Sequence, residues 1–399
     1  MKEKLWTKPF ILIILSNLFL FLSLEMLLPT LPVFAADQGG TDAQIGLIIG
    51  FFTFSAVLLR PFVGMGSDKF GKKMLLLAGV AICLIGTASY YAAVTISMML
   101  MLRIVHGVGF GISTTLYGTV ASDVIPASRR GEGMGFFGTG NAVAISLGPF
   151  LGIWLMEEYG FTALFIVGAC ILLLALVFTA FVKGDSKAER AEAKAAISAH
   201  TPFMLRFIEP KALMPSLLGT LVGLSLGGII SFITLFGKEA GVQNIGYFFL
   251  VLAISEFLIR FVSGRIFDTK GRFWVLFPAA LFCIVGCLLL FMTKSTGMLL
   301  AAAAFYGAGF GAIFPALQAW VIDRVEPQRR GVATATFYNF FDIGIGSGAM
   351  LLGLVATWSN YATMYLVSSV FLIIFLAVYF MYERSLKRER SSTAAIERL

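Results

Sequence analysis

The sequence contains few charged residues, few histidines and few cysteines. Only 13% of its 399 residues are charged and 58% are hydrophobic, whereas soluble domains contain about 25% charged residues. The two histidines and four cysteines form no cluster with metal-ligand or catalytic spacing. The cysteines lie inside apolar segments, where a thiol packs as a small hydrophobe: Cys83, Cys170, Cys283 and Cys287. The sequence therefore predicts neither a soluble domain nor an enzyme, and no metal or cofactor.

The apolar residues form continuous runs of about 20 residues, the length that an α-helix needs to cross a bilayer. The strands of a membrane barrel would instead alternate apolar and polar residues over shorter segments. We predict an all-α integral membrane protein with twelve transmembrane helices, near residues 9–35, 44–66, 73–93, 97–122, 131–156, 161–182, 212–237, 243–266, 273–293, 297–322, 331–357 and 360–382.

The net charge of +8 follows from the distribution of basic residues between the loops. If both termini are cytoplasmic, the inner loops contain most of the lysines and arginines, and the outer loops contain only Lys238 and Lys294. This asymmetry is the positive-inside rule of membrane proteins. We therefore predict a multi-pass protein of the cell (inner) membrane, surrounded by lipid, with both termini cytoplasmic. The basic charge does not indicate nucleic-acid binding, and we expect a monomer.

One long polar segment divides the predicted helices into two sets of six. We predict that residues 183–211 form a cytoplasmic linker between an N-terminal half, residues 1–182, and a C-terminal half, residues 212–382. Residues 383–399 form a basic tail that we place in the cytoplasm.

The two halves resemble each other at a constant offset of 200 residues. The matching pairs include Gly46 and Gly246, Arg60 and Arg260, Gly64 and Gly264, Asp68 and Asp268, Gly71 and Gly271, Gly107 and Gly307, Asp123 and Asp323, Arg129 and Arg329, and Gly148 and Gly348. A duplicated six-helix unit is an architecture of membrane transporters, in which the substrate site lies at mid-membrane between the halves. We predict two pseudo-symmetric halves.

Three segments resemble motifs of the major facilitator superfamily. The loop from Gly64 to Lys73 resembles the signature loop after the second helix, and residues 264–272 are its degenerate copy. Arg103, followed by His106 and Gly107, resembles the fourth-helix motif. The fifth-helix motif of the twelve-helix bacterial drug/proton antiporters is similar to the segment with Gly140, Gly148, Pro149 and Gly152, although Ala144 stands where that pattern usually has glycine.

The resemblance implies a latch that closes the cytoplasmic gate. Its expected members are Gly64, Asp68, Gly71, Lys72 and Asp123, with a second set, Asp268, Arg272 and Asp323, in the C-terminal half. The alternative is a solvated loop that only fixes the topology.

Charges that occur in one half only need a different explanation from the repeated ones. Glu25, Arg103 and Asp342 face Ser225, Ala303 and Ala142 at the offset of 200. An ionisable side chain inside the membrane is costly and is by default a functional candidate. We predict that Glu25 and Asp342 carry protons and that Arg103, which stays charged, is a counter-ion. Static ion pairs that orient helices are the alternative.

Several other side chains are candidates for a substrate cavity or for pairing. Tyr338, Asn339 and Asp342 can share a helix face, with Phe337, Phe340 and Phe341 beside them. His106 is either a titratable cavity residue or a neutral packing residue. Glu256 is followed one turn later by Arg260, which predicts an internal pair.

The resemblance implies a proton-coupled exporter of small lipophilic or amphiphilic compounds, cations included, that works by alternating access. Three alternatives use the same scaffold: an importer or symporter, a lipid flippase, and an exporter of a specific metabolite such as a sugar or a metal chelator. A membrane enzyme or sensor is the rival from another class.

Overall fold

A computed structural model describes residues 4–126, 129–182, 208–242, 244–326 and 329–396. These residues are helical almost throughout. The helices are α1 (Lys8–Leu27), α2 (Leu31–Asp37), α3 (Asp42–Phe70), α4 (Lys72–Ser89), α5 (Ile96–Val124), α6 (Arg130–Ala180), α7 (Leu213–Glu239), α8 (Gly246–Lys270), α9 (Phe273–Phe291), α10 (Thr296–Asp323), α11 (Arg330–Trp358) and α12 (Tyr361–Ile396).

Local sequence signals explain where several of these helices begin and end. Thr41 and Gln44 form a capping box at the start of α3, which satisfies backbone N–H groups that have no partner within the helix. Gly71 ends α3 and Gly271 ends α8, with φ of 88° and 87°. These left-handed conformations suit glycine, so the repeated glycines of the loop motif have the same structural role in both halves.

The described residues contain eleven helical stretches that are long and apolar enough to cross a membrane. The first combines α1 and α2. The longest includes most of α6, where Gly160 has φ 77° and ψ 176°, so that two helices meet at a kink. Residues 130–159 and 161–180 thus form two crossings, which gives the twelve that the sequence predicts.

The helices pack in equivalent pairs in the two halves. In the N-terminal half α1 packs on α6 and α3 on α5; in the C-terminal half α7 packs on α11 and α8 on α10. Close approach depends on glycine: a Cβ on Gly148 would lie 2.5 Å from the Cβ of Glu25, and one on its repeat Gly348 would meet the backbone of Leu224. Small residues of this kind let membrane helices pack closely.

The halves meet at the end of the bundle that the sequence predicts to be external. Here α3 lies against α11: the Ala43 N–H donates to Thr357 Oγ1 at 3.1 Å, and Gly46 packs against the backbone of Ala349. Phe150 of α6 packs against Tyr247 of α8, with ring centroids 6.0 Å apart. We call this the closed end.

Two predictions differ in detail from the structure. The last helix continues past residue 382 to Ile396, into the predicted tail. Cys170 is exposed, unlike Cys83, Cys283 and Cys287, because its side of the membrane helix faces away from the protein. The predicted linker, apart from its last residues, lies outside the described residues.

Glu209, which precedes α7, joins the start of the C-terminal half to α11. Its carboxylate accepts hydrogen bonds from Arg329 and, at 3.2 Å, from the Lys211 N–H, and its own N–H donates to Thr336 Oγ1 at 3.0 Å. Burial alone would raise the pKa of Glu209, but the bonds from Arg329 and Lys211 outweigh burial and hold this pKa below its usual range.

Glu209→Gln should therefore destabilise the protein in a pH-dependent way. At pH 7 we expect the free energy of unfolding to fall by about 1–3 kcal/mol, the contribution of hydrogen bonds to a charged group. Because the folded pKa is lowered, the contribution of Glu209 is complete above the unfolded pKa of about 4.3 and is lost as the pH falls through the folded value. Thermal unfolding in detergent at pH 7 and at acid pH measures both effects. The exposed Glu158→Gln is the control; equal stability of Glu209→Gln and wild type at pH 7 would contradict the prediction.

A charged site at the centre of the bundle

Five ionisable side chains lie inside their membrane crossings, between the two halves. They are Glu25 on α1, Arg60 on α3, Glu256 and Arg260 on α8, and Asp342 on α11. When all five are charged, the three acids and two arginines leave one excess negative charge. We call these residues the central cluster.

Arg60 and Asp342 form an ion pair between the two halves. Arg60 Nη2 lies 2.6 Å from Asp342 Oδ2, and Nη1 donates to Asn339 Oδ1 at 2.7 Å. The two side chains are 16% and 22% exposed, so the pair is partly sheltered but within reach of water. Sequence reasoning identified Asp342 and Asn339 but assigned no site role to Arg60.

Glu256 and Arg260 form the internal pair that the sequence predicts. Arg260 Nη2 lies 3.5 Å from Glu256 Oε2, one helical turn away. The Glu256 side chain is only 8% exposed, and the helix is in close contact with Gly311 of α10 at this point. Glu256 is thus neutralised within its own helix.

Glu25 differs from the other two acids because it has no hydrogen-bond or ion-pair partner among the described residues. It packs against Gly148, is half-buried, and lies within electrostatic range of Glu256 and Asp342. When all five groups are charged, the excess negative charge of the central cluster is therefore that of an unpaired carboxylate.

Arg103 and His106 lie inside the N-terminal half rather than in the central cluster. The Arg103 guanidinium is fully buried, stacks 4.8 Å from the Phe52 ring, and lies close to the Tyr90 hydroxyl. His106 Nδ1 lies 3.3 Å from the Tyr90 hydroxyl. The structure does not pair Arg103 with Glu25, and it does not bring His106 together with Tyr338 and Asn339. The packing alternative fits the geometry of His106.

Aromatic side chains of α10 and α11 stand beside the central cluster. Phe314 packs against Phe337, Tyr338 and Phe341, with ring centroids 4.8–5.9 Å apart. The half-exposed Tyr338 accepts a hydrogen bond from Gln318 Nε2 at 2.7 Å. A cavity of about 180 Å³ lies next to this wall, lined by Gln318, Val321, Ile322, Thr334 and Phe337. The predicted cavity residues Tyr338, Asn339 and Asp342 lie beside the aromatic wall, but none of them lines this cavity, so their role in a substrate site stays a prediction.

A sequence model of the Major Facilitator Superfamily matches residues 13–298 and 271–398. The chain belongs to this superfamily. An uncharacterised MFS-type transporter of Methanocaldococcus jannaschii is 24% identical over 358 residues, which cover 88% of this chain and 92% of the relative. The uncharacterised MFS-type transporter YhhS of Escherichia coli K12 is 27% identical over 375 residues, covering 90% and 88%.

Solved structures of superfamily transporters share the fold. The nucleoside transporter NupG aligns with a TM-score of 0.71 and 17% identity, covering 94% of this chain and 99% of NupG. A bacterial homologue of the human lysosomal transporter Spinster, in an inward-facing and occupied conformation, aligns with a TM-score of 0.75 and 18% identity, covering 96% and 98%.

The superfamily loop motif forms different contacts in the two halves. In the N-terminal half Lys72 Nζ lies 2.6 Å from Asp123 Oδ2, as predicted. The Asp68 side chain and Gly64 lie outside what the structure describes in detail, so their roles stay predictions. In the C-terminal half Arg272 pairs with Glu383 of α12 at 2.7 Å, whereas neither Asp268 nor Asp323 takes part in an ion pair within the described residues.

The second predicted set, Asp268, Arg272 and Asp323, is therefore wrong in its pairing. Trp320 provides the physical reason, because its ring lies 4.2 Å below the Arg272 guanidinium and directs it toward Glu383. The equivalent positions of the N-terminal half hold Val120 and Lys183, neither of which can attract Lys72. Lys72 consequently reaches Asp123.

Lys72→Gln should impair transport with little loss of stability. An exposed ion pair contributes only about 0–1 kcal/mol to folding stability. If the Lys72–Asp123 pair forms in one conformation of the transport cycle and not in the other, its loss shifts the balance between the two conformations. We therefore expect transport to slow by about tenfold. Initial rates in proteoliposomes, with thermal unfolding alongside, test this prediction. Lys73→Gln is the matched control. If Lys72→Gln transports as fast as Lys73→Gln, the loop only fixes topology.

Proposed function

We propose that this protein is a proton-coupled exporter of small lipophilic or amphiphilic compounds, cations in particular. The observation that carries the proposal is Glu25, an unpaired carboxylate in the central cluster with two further acids within electrostatic range. A carboxylate in such surroundings must bind either a proton or another cation, because an isolated charge is costly inside the membrane.

In the proposed cycle a proton and a cationic substrate compete for Glu25. Substrate enters from the cytoplasm and displaces the proton, and a proton from outside later displaces the substrate. The aromatic wall with Phe314, Phe337 and Tyr338 suits the lipophilic part of such a substrate. The membrane potential adds about 2.3 kcal/mol per charge per 100 mV to proton entry. No covalent chemistry is involved, and each chain has its own central cluster, so that a monomer suffices.

Export is favoured over uptake by the fifth-helix motif, because its resemblance is to antiporters. The motif also positions the proposed proton site: Gly148 and Gly152 bring α1 against α6 beside Glu25 and Met26. Rocking of the two halves would expose the central cluster alternately to the two sides of the membrane. With both termini cytoplasmic, as we propose, the closed end faces outward.

Flux in proteoliposomes with an imposed pH gradient tests this proposal. Candidate substrates are first selected from a panel that includes tetraphenylphosphonium and neutral and anionic amphiphiles, by their stabilisation of the purified protein against heat. We expect cations to stabilise most and to move against the proton flux. Movement with the protons would identify an importer or symporter, and transfer of labelled phospholipid would identify a flippase; either result would overturn the proposal.

Reporter fusions check the orientation of the protein in the membrane. A reporter near Gly40 should lie on the external side, and one after Gly184 should lie in the cytoplasm.

A further inference from the structure

Arg324 lies just after α10, at the end of the bundle opposite the closed end, between two aromatic rings. Its guanidinium carbon lies 5.5 Å from the centre of the Trp320 ring and 5.4 Å from that of Tyr382 on α12. The two rings also contact each other, with centroids 5.7 Å apart. Cation–π contacts of this kind hold a guanidinium in place without using its N–H groups as hydrogen-bond donors.

Arg324 differs in its partners from Arg272, which lies over the same Trp320 ring. Arg272 donates a hydrogen bond to Glu383 at 2.7 Å. The half-buried Arg324 side chain takes part in no ion pair or hydrogen bond within the described residues, and the adjacent Asp323 is exposed. A guanidinium has five N–H donors in a planar fork that matches the oxygens of a phosphate. Arg324 is therefore a positioned cation whose donors can bind an anion.

The arrangement of Arg324, Trp320 and Tyr382 occurs in the C-terminal half only. At the offset of 200 residues, all three equivalent positions hold valine: Val120, Val124 and Val182. The scaffold that both halves share therefore does not need it. A charge that only fixes the topology does not need it either, because the positive-inside rule depends on the number of lysines and arginines and not on their contacts.

Basic residues follow Tyr382 along α12. The apolar span of this helix ends at Ser385, but the helix continues to Ile396. Residues 384–390 include four basic residues and a single acid, Glu389. A group of lysines and arginines directly after a membrane helix attracts the acidic lipids of the adjoining leaflet. The charge on this side of Arg324 thus favours an anionic partner.

Exposed apolar side chains adjoin the same surface. Phe273 and Trp274 follow Arg272 at the start of α9, and the Trp274 side chain is 58% exposed. Met381, which precedes Tyr382 on α12, is 63% exposed. Tryptophan at the end of a membrane helix typically lies at the level of the lipid headgroups. A partner that covers both the cations and these side chains must have an anionic and an apolar part.

We propose that Arg324, together with the basic stretch of α12, binds the phosphate group of an acidic phospholipid. With both termini cytoplasmic, as proposed above, this lipid belongs to the cytoplasmic leaflet. Its phosphate accepts hydrogen bonds from Arg324, and its acyl chains lie along Trp274 and Met381. The basic stretch favours a lipid with a net negative charge over a zwitterionic one. The lipid site lies outside the central cluster and does not depend on which compound the protein transports.

Lipid binding to the purified protein tests this proposal. Protein in detergent is titrated with phosphatidylglycerol, with phosphatidylcholine of the same acyl chains, and with glycerol phosphate, and bound molecules are detected by native mass spectrometry. We expect the first phosphatidylglycerol to bind at least tenfold more tightly than phosphatidylcholine and to resist displacement by glycerol phosphate. In Arg324→Gln the affinity for phosphatidylglycerol should fall about fivefold, the effect of one basic residue at a membrane surface. The affinity for phosphatidylcholine should stay unchanged.

Arg265→Gln is the matched control, because it removes an exposed arginine of α8 at the same end of the bundle. It should bind phosphatidylglycerol as wild type does. Equal wild-type affinities for the two lipids, or an equal loss in Arg265→Gln, would show that only the overall surface charge attracts lipid and would overturn the site. Displacement by glycerol phosphate would identify a soluble phosphate ligand and would overturn the lipid assignment.

Tyr382→Leu provides a second test if Arg324→Gln does not fold. This substitution keeps every charge and removes one of the two rings that hold Arg324. We expect it to lower the affinity for phosphatidylglycerol at least twofold, because Arg324 is then no longer held in position. An affinity equal to that of wild type would overturn the role of the aromatic rings and, with it, the proposed site.

Discussion

Glu25→Gln should reduce accumulation driven by a pH gradient by about a hundredfold, the upper range of coupling between two ligands of one protein. Glutamine keeps the size of the side chain but fixes it in a neutral state. The variant can therefore still hold a neutral substrate and exchange it down its gradient, but it can no longer release or take up the proton. Driven uptake and downhill exchange in the same proteoliposomes measure the two activities separately.

The control for this substitution is Glu158→Gln, which removes an exposed acid of α6 outside the central cluster. It should retain driven transport at the wild-type rate. If Glu25→Gln keeps full driven transport with an unchanged pH profile, the proton carrier is not on α1. Asp342 would then be the remaining candidate, and Asp342→Asn alone should abolish the pH dependence of binding.

Gly152→Ala should destabilise the protein and inactivate it, although it adds only one methyl group. An added Cβ would lie 2.7 Å from the Cα of Met26 and closer still to its carbonyl oxygen, and backbone atoms cannot move aside as a flexible side chain can. Overpacking of this kind costs about 1–3 kcal/mol. It also displaces α1, and with it Glu25, from the position next to α6.

Gly138→Ala provides a matched control within the same helix. An added Cβ at Gly138 has no atom within 4 Å, and alanine is a better helix former than glycine by about 1 kcal/mol. We therefore expect Gly138→Ala to be as stable as wild type or more so, and active. Thermal unfolding in detergent, together with flux, compares the two. Equal stability of Gly152→Ala and Gly138→Ala would refute the close-packing role of the fifth-helix motif.

The fold could be predicted from the sequence because lipid leaves few alternatives. In a bilayer the backbone must satisfy its own hydrogen bonds, so runs of apolar residues indicate helices, and the offset of 200 residues indicates how they are paired. The break between the fifth and sixth crossings agrees with the prediction, because Gly160 lies between the predicted helices 131–156 and 161–182. The structure adds that helix continues up to this kink from both sides.

The central cluster could be predicted only in part. The comparison of the two halves identified Glu25 and Asp342, because a charge without a counterpart is conspicuous. It missed Arg60, because Arg60 has the counterpart Arg260. The residue one helical turn earlier distinguishes Arg60 from Arg260: Glu256 precedes Arg260, and Ala56 precedes Arg60. A repeated residue keeps its role only when its neighbours are repeated too.

Arg103 and Arg272 show why partners are harder to predict than positions. Arg103 has the expected position inside the membrane, but its direction around the helix axis places it under the Phe52 ring rather than beside Glu25. Arg272 meets Trp320 and Glu383, which are far from it in the sequence. Periodicity along one helix does not specify which side chains of a neighbouring helix are within reach.

Proton release on substrate binding tests the central claim most directly. Purified protein in a weakly buffered detergent solution, with a pH-sensitive dye, is mixed with tetraphenylphosphonium or with the most stabilising cation of the panel. Competition at Glu25 predicts that wild type releases protons as it binds the cation and that Glu158→Gln does the same. Glu25→Gln should bind the cation more weakly and without proton release. Binding without proton release by wild type, or undiminished release by Glu25→Gln, would contradict the account.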